Sequence, residues 1–311
     1  MEKDKQSRLV FSFFLTVLSI IGISFIGMFV PFFGGVFGFL IPIPLFYFFF
    51  ETKEIGSFVS LLISSFIVYL ITHSFEYAYL ILSFGIPVLI MAHCMFKDIK
   101  LAKTLLYPFV IGIFFLTAGI FLVLSFQKSS YEIFVTKLID KSVNEYKLIF
   151  ENLLNYSYES ANIKKFIKDT FPALAVSSVI VSTFINFIIG KLVFKKKGLS
   201  CSENFELLKI SEHVIWIFIL SLFLIFIKKV GILYLTGLNI SLILLFVYFF
   251  QGLSIVNYFF IARKIPLFLR ITGFFIIGIE AVAAIAVTLL GIFDFWFDFR
   301  KSIKLDINTT A

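Results

Sequence analysis

Long apolar stretches separated by short charged or turn-forming stretches make up most of the chain from Leu9 onward. Each apolar block runs for roughly 20 residues, the length an α-helix needs to cross about 30 Å of hydrocarbon. A soluble helix would interrupt such a block with polar positions every third or fourth residue. Between Leu105 and Phe126 no charged side chain occurs at all. With Leu, Ile, Phe and Val each contributing roughly −0.3 to −0.6 kcal/mol at a helix centre, such a block inserts readily.

The pattern predicts spans at about 9–30, 36–50, 55–72, 76–96, 104–126, 170–194, 213–227, 231–262 and 270–292. The first two divide one apolar run at the cluster Pro31, Gly34, Gly35 and Gly38. Pro42 and Pro44 weaken the second, each removing a backbone donor. That block is short enough to re-enter, which leaves eight spans or nine. Lys228 and Lys229 fall within a second long apolar run. Each would cost about 2.5–3.5 kcal/mol at a helix centre, so they belong in a turn between two helices. The basic flank Lys3, Lys5 and Arg8 resembles a signal peptide, but the apolar run behind it outlasts the roughly 7–15 residues of such a segment. The first helix is therefore expected to be retained.

Residues 127–169 break the pattern with charges of both signs. Ile139, Val143, Tyr146, Phe150 and Leu153 recur there at spacings of three and four, marking one face of an amphipathic helix. The expectation is an extramembrane insertion within a single membrane domain, 1–311. It reads first as a helix lying in the headgroups, with a lid or a partner-binding helix pair as the alternative. The fold class expected is all-α, a polytopic transmembrane helix bundle.

Composition strengthens this reading: 60% of residues are hydrophobic and 15% charged. A soluble domain is closer to half apolar and a quarter charged. The net charge of +8 is explained by sidedness, without nucleic acid. With the N-terminus in the cytoplasm, Lys53, the group Lys97, Lys100 and Lys103, the group Lys191 to Lys209, and Arg263, Lys264 and Arg270 fall on the inner side. Only Lys228 and Lys229 fall in the short outer loops, as basic residues favouring the cytoplasm require. Nine spans would leave Arg300, Lys301 and Lys304 outside, and one span fewer returns them to the inner side.

Soluble-type catalytic chemistry has little support. His73, His93 and His213 are scattered, and Cys94 and Cys201 form no C-x-x-C pair. No P-loop, G-x-G-x-x-G or G-x-S-x-G occurs. No catalytic residue, metal site or cofactor is expected, and the protein is not expected to be an enzyme. The intramembrane polar residues carry the remaining signal. Glu280 is expected near the middle of the last span, between Gly278 and Ala281, Ala283, Ala284 and Ala286. A carboxyl group there is costly when charged and normally faces the bundle interior or a cavity. It reads as a substrate or proton contact, or as a neutral acid bonded to a neighbouring helix. Gln251, Asn239 and Asn257 lie on the preceding span and Asn186 on the sixth. Each is a candidate solute ligand or helix–helix bond. The Pro/Gly-rich stretch 31–44 reads as a hairpin or as broken backbone lining a cavity.

The stretch Phe293–Lys301 (FDFWFDFRK) has Trp296 and charges directly after a span, as an interfacial anchor would. Gln251-Gly252-Leu253, followed by Leu290-Gly291-Ile292-Phe293-Asp294 and Trp296-Phe297-Asp298-Phe299-Arg300, resembles the YybS-like family of uncharacterised bacterial membrane proteins. Pro172 and the Asn186–Lys191 neighbourhood are similar as well. That family is in turn similar in helix arrangement to the substrate-binding subunits of energy-coupling-factor transporters. The resemblance implies a solute-binding, transport-associated subunit in the cytoplasmic membrane, partnered by a separate energising ATPase module. Those subunits have about six spans and an alanine-x-x-x-alanine contact on the first helix, where this chain offers Ser12 and Thr16. The alternative is a non-transporting envelope or sporulation-associated scaffold that recruits envelope proteins.

Overall fold

A computed structural model describes residues 2–29, 40–140, 161–196 and 205–302. Among them no strand occurs. The helices are α1 (Glu2–Phe29), α2 (Pro42–Thr72), α3 (Phe75–Phe96), α4 (Leu101–Gln127), α5 (Ala161–Lys196), α6 (His213–Phe226), α7 (Gly231–Ala262), α8 (Leu267–Ile279) and α9 (Ala281–Phe297). Residues 131–140 are also helical. Short 3₁₀ turns lie at Phe205–Leu207 and Phe299–Ser302.

Among the described residues, six helices are long and apolar enough to cross a membrane: α1, α2, α3, α4, α5 and α7. A seventh span is present if α8 and α9, bent by 101° at their junction, count as one broken span. Exposed apolar side chains cover the outward faces, including Phe11 and Phe14 of α1, Phe114 and Phe121 of α4, and Trp216, Leu220 and Phe223 of α6. Water would penalise that surface, and lipid does not. The chain is an all-α polytopic membrane bundle.

The span count differs from the sequence expectation for local reasons. The expected spans 36–50 and 55–72 overlap one continuous 31-residue helix, α2, with residues 30–39 outside the described set. Pro42 and Pro44 fall in the first turn of α2, where the missing N–H has no partner to lose and the fixed φ suits a helix. Lys228 and Lys229 do form the turn between α6 and α7. At 14 residues, α6 is only about 21 Å long. The expected last span breaks at Glu280, whose extended backbone (φ −85°, ψ 112°) ends α8 and begins α9.

The chain forms two compact units, Met1–Phe121 with Ser178–Glu203, and Leu122–Ser177 with Asn204–Ala311. In the first, Leu45, Phe46, Phe48 and Phe49 of α2 are buried with Met91 and Met95 of α3 and Phe187 and Phe194 of α5. A Cβ at Gly85 would strike Leu61, so α2 and α3 approach closely there. Buried serines line α2 beside this contact, and Ser65 reaches across to donate to the Ala78 carbonyl at 3.0 Å. At one end of the unit, His93 Nδ1 lies 2.6 Å from Glu54 Oε1, and Phe46 and Phe50 of α2 pack on Phe194 of α5. The basic residues that follow α3 and those that end α5 therefore lie at the same end of this unit.

In the second unit, Ile215 and Phe218 of α6, Tyr248 of α7 and Ile292 of α9 form one buried cluster. The segment 131–140 joins the start of α5 through ion pairs Lys164–Asp140 (2.9 Å) and Lys168–Glu132 (3.3 Å). Val135 is buried, as is Ile139 from the apolar face expected of this insertion. Val143, Tyr146, Phe150 and Leu153 lie outside the described residues.

Candidate functional site

A dense group of polar contacts in the second unit grows from two glycines. A Cβ at Gly252 of α7 would collide with the Val287 carbonyl, and one at Gly291 of α9 with the Tyr248 carbonyl. Only glycine lets the two backbones touch in this way. The contact places Gln251, one residue away, beside Asp294, one turn beyond Gly291.

Asp294 is fully buried, and both of its carboxylate oxygens accept hydrogen bonds. Gln251 Nε2 donates to Oδ2 at 3.0 Å, and the Phe299 N–H donates to Oδ1 at 3.1 Å. Arg300 Nη1 completes an ion pair with Oδ2 at 3.4 Å. Asp298 makes this possible: its left-handed backbone (φ 42°) ends α9, so the chain turns and returns Arg300 to Asp294. The second guanidinium nitrogen donates to the Leu208 carbonyl at 2.8 Å and to Ser254 Oγ at 3.1 Å. Gln251 Oε1 accepts the Ile210 N–H at 3.3 Å, and Tyr258 donates its hydroxyl to the Arg300 carbonyl at 3.3 Å. One knot thus fastens α7, the end of α9, the Phe299–Ser302 turn and the segment leading into α6.

Electrostatics follow from burial and charge. Burial draws the Arg300 guanidinium below its ordinary value, against the nearby Asp294 and Asp298 carboxylates and the Tyr258 hydroxyl, which raise it. At the rim, burial works to raise the Asp298 carboxyl. The hydrogen bonds and charges of Lys301 and Lys209 outweigh it and hold Asp298 below the usual carboxylate value. Beside the knot, Asn257 Nδ2 donates to the buried Glu206 at 3.3 Å.

The five candidate residues are not brought to one place. Gln251 belongs to the knot and Asn257 flanks it. Asn239, further along α7, spends its carboxamide on backbone: Nδ2 donates to the Asp169 and Leu235 carbonyls at 2.8 and 2.9 Å, and Oδ1 accepts the Ala173 N–H at 2.9 Å. Asn186 lies in the first unit, buried, with Nδ2 3.4 Å from Ser182 Oγ and Oδ1 without a partner among the described residues. Glu280 is exposed at the α8–α9 elbow rather than central in a helix. A shallow, open groove crosses α1 past Gln6, Val10, Phe11 and Phe14, and none of the five lines it. Among the described residues, no group of three or more His, Cys, Asp or Glu side chains could hold a metal ion.

In the sequence, Asp294 and Arg300 look like parts of an interfacial anchor, and nothing marks Ser254, Glu206 or the Leu208 carbonyl. The available signal was an acidic and a basic residue six apart across a helix end.

A family model described as a predicted membrane protein, DUF2232, matches residues 15–295. The uncharacterized protein YybS of Bacillus subtilis (strain 168) is 22% identical over 184 residues, covering 54% of this chain and 60% of that protein. No solved structure matches.

Proposed function

Because the chain belongs to this family of predicted membrane proteins, we propose that it is a solute-binding, transport-associated subunit of the cytoplasmic membrane, resembling the substrate subunits of energy-coupling-factor transporters. The observation that carries the reading is the broken helix pair α8–α9, with an ionisable side chain at the break. Transporter sites are commonly built from discontinuous helices, whose freed backbone and terminal dipoles meet the solute. Glu280 at such an elbow suits a cationic solute or a proton. Among the described residues, six long spans, or seven with the broken pair, lie near the roughly six expected of such subunits.

The proposed orientation places the N-terminus in the cytoplasm. Basic residues lie together at one end of the first unit. In the second unit, Arg300 donates to the Leu208 carbonyl and Lys209 and Lys301 both pair with Asp298, which gathers these three basic residues at one end. Both arrangements suit a cytoplasmic face under the preference of basic residues for that side. A separate energising ATPase module is the proposed partner, the role itself being non-enzymatic.

A second reading has its own support. Gln251 and Asn239 are committed to internal bonds, which suits a scaffold that holds a shape and recruits envelope proteins. Thermal unfolding of the purified protein in nanodiscs, with choline, spermidine or thiamine added, separates the two. The transport reading expects one cationic solute to raise the melting temperature, with Glu280→Gln abolishing the shift but leaving the solute-free value unchanged. Solute shifts that persist in both Glu280→Gln and Glu280→Leu would remove Glu280 from the site. No shift with any of the three would favour the scaffold.

A further inference from the structure

The 36-residue helix α5 has Pro172 in its interior. A proline gives no N–H to the carbonyl four residues back, and its ring pushes that carbonyl aside, so the helix is weakest here. The neighbouring rung is bridged from outside by a side chain. Asn239 of α7 donates to the Asp169 carbonyl and accepts from the Ala173 N–H, at 2.8 and 2.9 Å. It therefore holds both ends of the rung that a regular helix would close by itself. Its remaining amide proton goes to Leu235 of its own helix, which fixes the carboxamide's orientation.

On the N-terminal side of Pro172, α5 is part of a tied block. Lys164 and Lys168 pair with Asp140 and Glu132, and Phe171 packs edge-on against Tyr131. The block consists of residues 131–140 and the first turns of α5, and it meets the rest of the helix at Pro172. One turn beyond Ala173 on the same buried face, the Ser177 hydroxyl is 2% exposed and has no partner among the described residues. A carboxamide leaving the Asp169–Ala173 rung would find this second polar group about 6 Å along the face.

We propose that Pro172 and Asn239 form a latched hinge, in which the block of residues 131–140 and the start of α5 swings about Pro172 while the Asn239 carboxamide holds it closed against α7. The latch is needed because of the proline. Without Pro172 the helix closes its own rungs, and Asn239 becomes dispensable. This interdependence separates a hinge from an ordinary helix–helix hydrogen bond, whose loss would be felt with or without the proline. The inference stands independently of any solute.

The test uses the full chain with Cys94 and Cys201 replaced by Ser. Spin labels go on Lys137→Cys, in the block, and Lys229→Cys, in the turn just before α7, both exposed positions. Electron–electron resonance in nanodiscs then reads the distance distribution. One narrow distance is expected with Pro172 and Asn239 in place. Asn239→Leu should broaden or split it, and the double variant Pro172→Ala with Asn239→Leu should narrow it again. A distribution in Asn239→Leu as narrow as the parent's, or a double variant as broad as Asn239→Leu, would overturn the hinge. If Asn239→Leu fails to fold, recovery of folded protein in the double variant supports the hinge, and failure of both overturns it.

Discussion

Replacing Arg300 with Met tests the knot at its centre. Nη1 and Asp294 Oδ2 are 3.4 Å apart, with the side chains 11% and 0% exposed. At an effective dielectric constant of about 20, their Coulomb attraction is about 5 kcal/mol. Much of that is offset by the desolvation of both groups, so the intact pair contributes little net stability. Removing one partner is different, because the other charge stays buried, at a typical cost of about 3–5 kcal/mol. Asp294 would keep its bonds from Gln251 and Phe299, which favours the lower part of that range. The lost donations to Leu208 and Ser254 add to that cost and bring the sum to the middle of the range. We expect a loss of about 4 kcal/mol, or about 8–16 °C at roughly 2–4 °C per kcal/mol, in thermal unfolding of the detergent-solubilised protein. The double variant Asp294→Asn with Arg300→Met leaves no stranded charge and should melt above Arg300→Met alone. Melting shifts that simply add in the double variant would refute the reasoning, since independent sites add and coupled ones do not.

Two further outcomes follow from the same region. Gly252→Ala drives a Cβ into the Val287 backbone and should cost about 3 kcal/mol or more, whereas Gly231→Ala, with nothing within 4 Å, should shift melting by under about 1 kcal/mol; equal effects would contradict the close helix contact. Asp298→Asn keeps the left-handed backbone, which asparagine tolerates, but removes the charge. The Asp298 value is depressed by folding, so its contribution is complete above the ordinary value of 3.8 and lost as pH falls through the lower folded value. Melting curves of parent and variant should therefore differ near neutral pH and converge in acid, and a constant gap would show that the charge is not involved.

The parts of the fold that depend on one local stretch were legible in the sequence. The block lengths predicted membrane helices, and the cost of burying Lys228 and Lys229 placed a turn where the structure has one. What depends on pairing distant residues was not legible. Nothing local shows that Asn239 bridges a rung 66 residues earlier in the chain, because an amide in a span looks the same whether it serves a solute or a backbone. Pro42 and Pro44 were read as interruptions because proline breaks a helix interior and suits its first turn, and the difference depends on where the helix begins. Glu280 was expected within a helix because apolar and small residues flank it on both sides; its extended backbone ends one helix and starts the next without a Pro or Gly at that position. The knot was half visible: the order of Gln251, Asp294 and Arg300 carried the family resemblance, but their convergence needs the left-handed turn at Asp298.

The account depends on a membrane bundle whose C-terminal turn lies on the same side as the segment entering α6, opposite the turn between α6 and α7. Single cysteines at Lys209, Lys301 and Lys229, in a chain with Cys94 and Cys201 replaced by Ser, test this with a membrane-impermeant maleimide applied to intact cells. Lys229→Cys is expected to label, and Lys209→Cys and Lys301→Cys only after the cells are opened. Labelling of Lys209→Cys and Lys301→Cys from opposite sides would contradict the account, because Arg300 could not then reach Leu208.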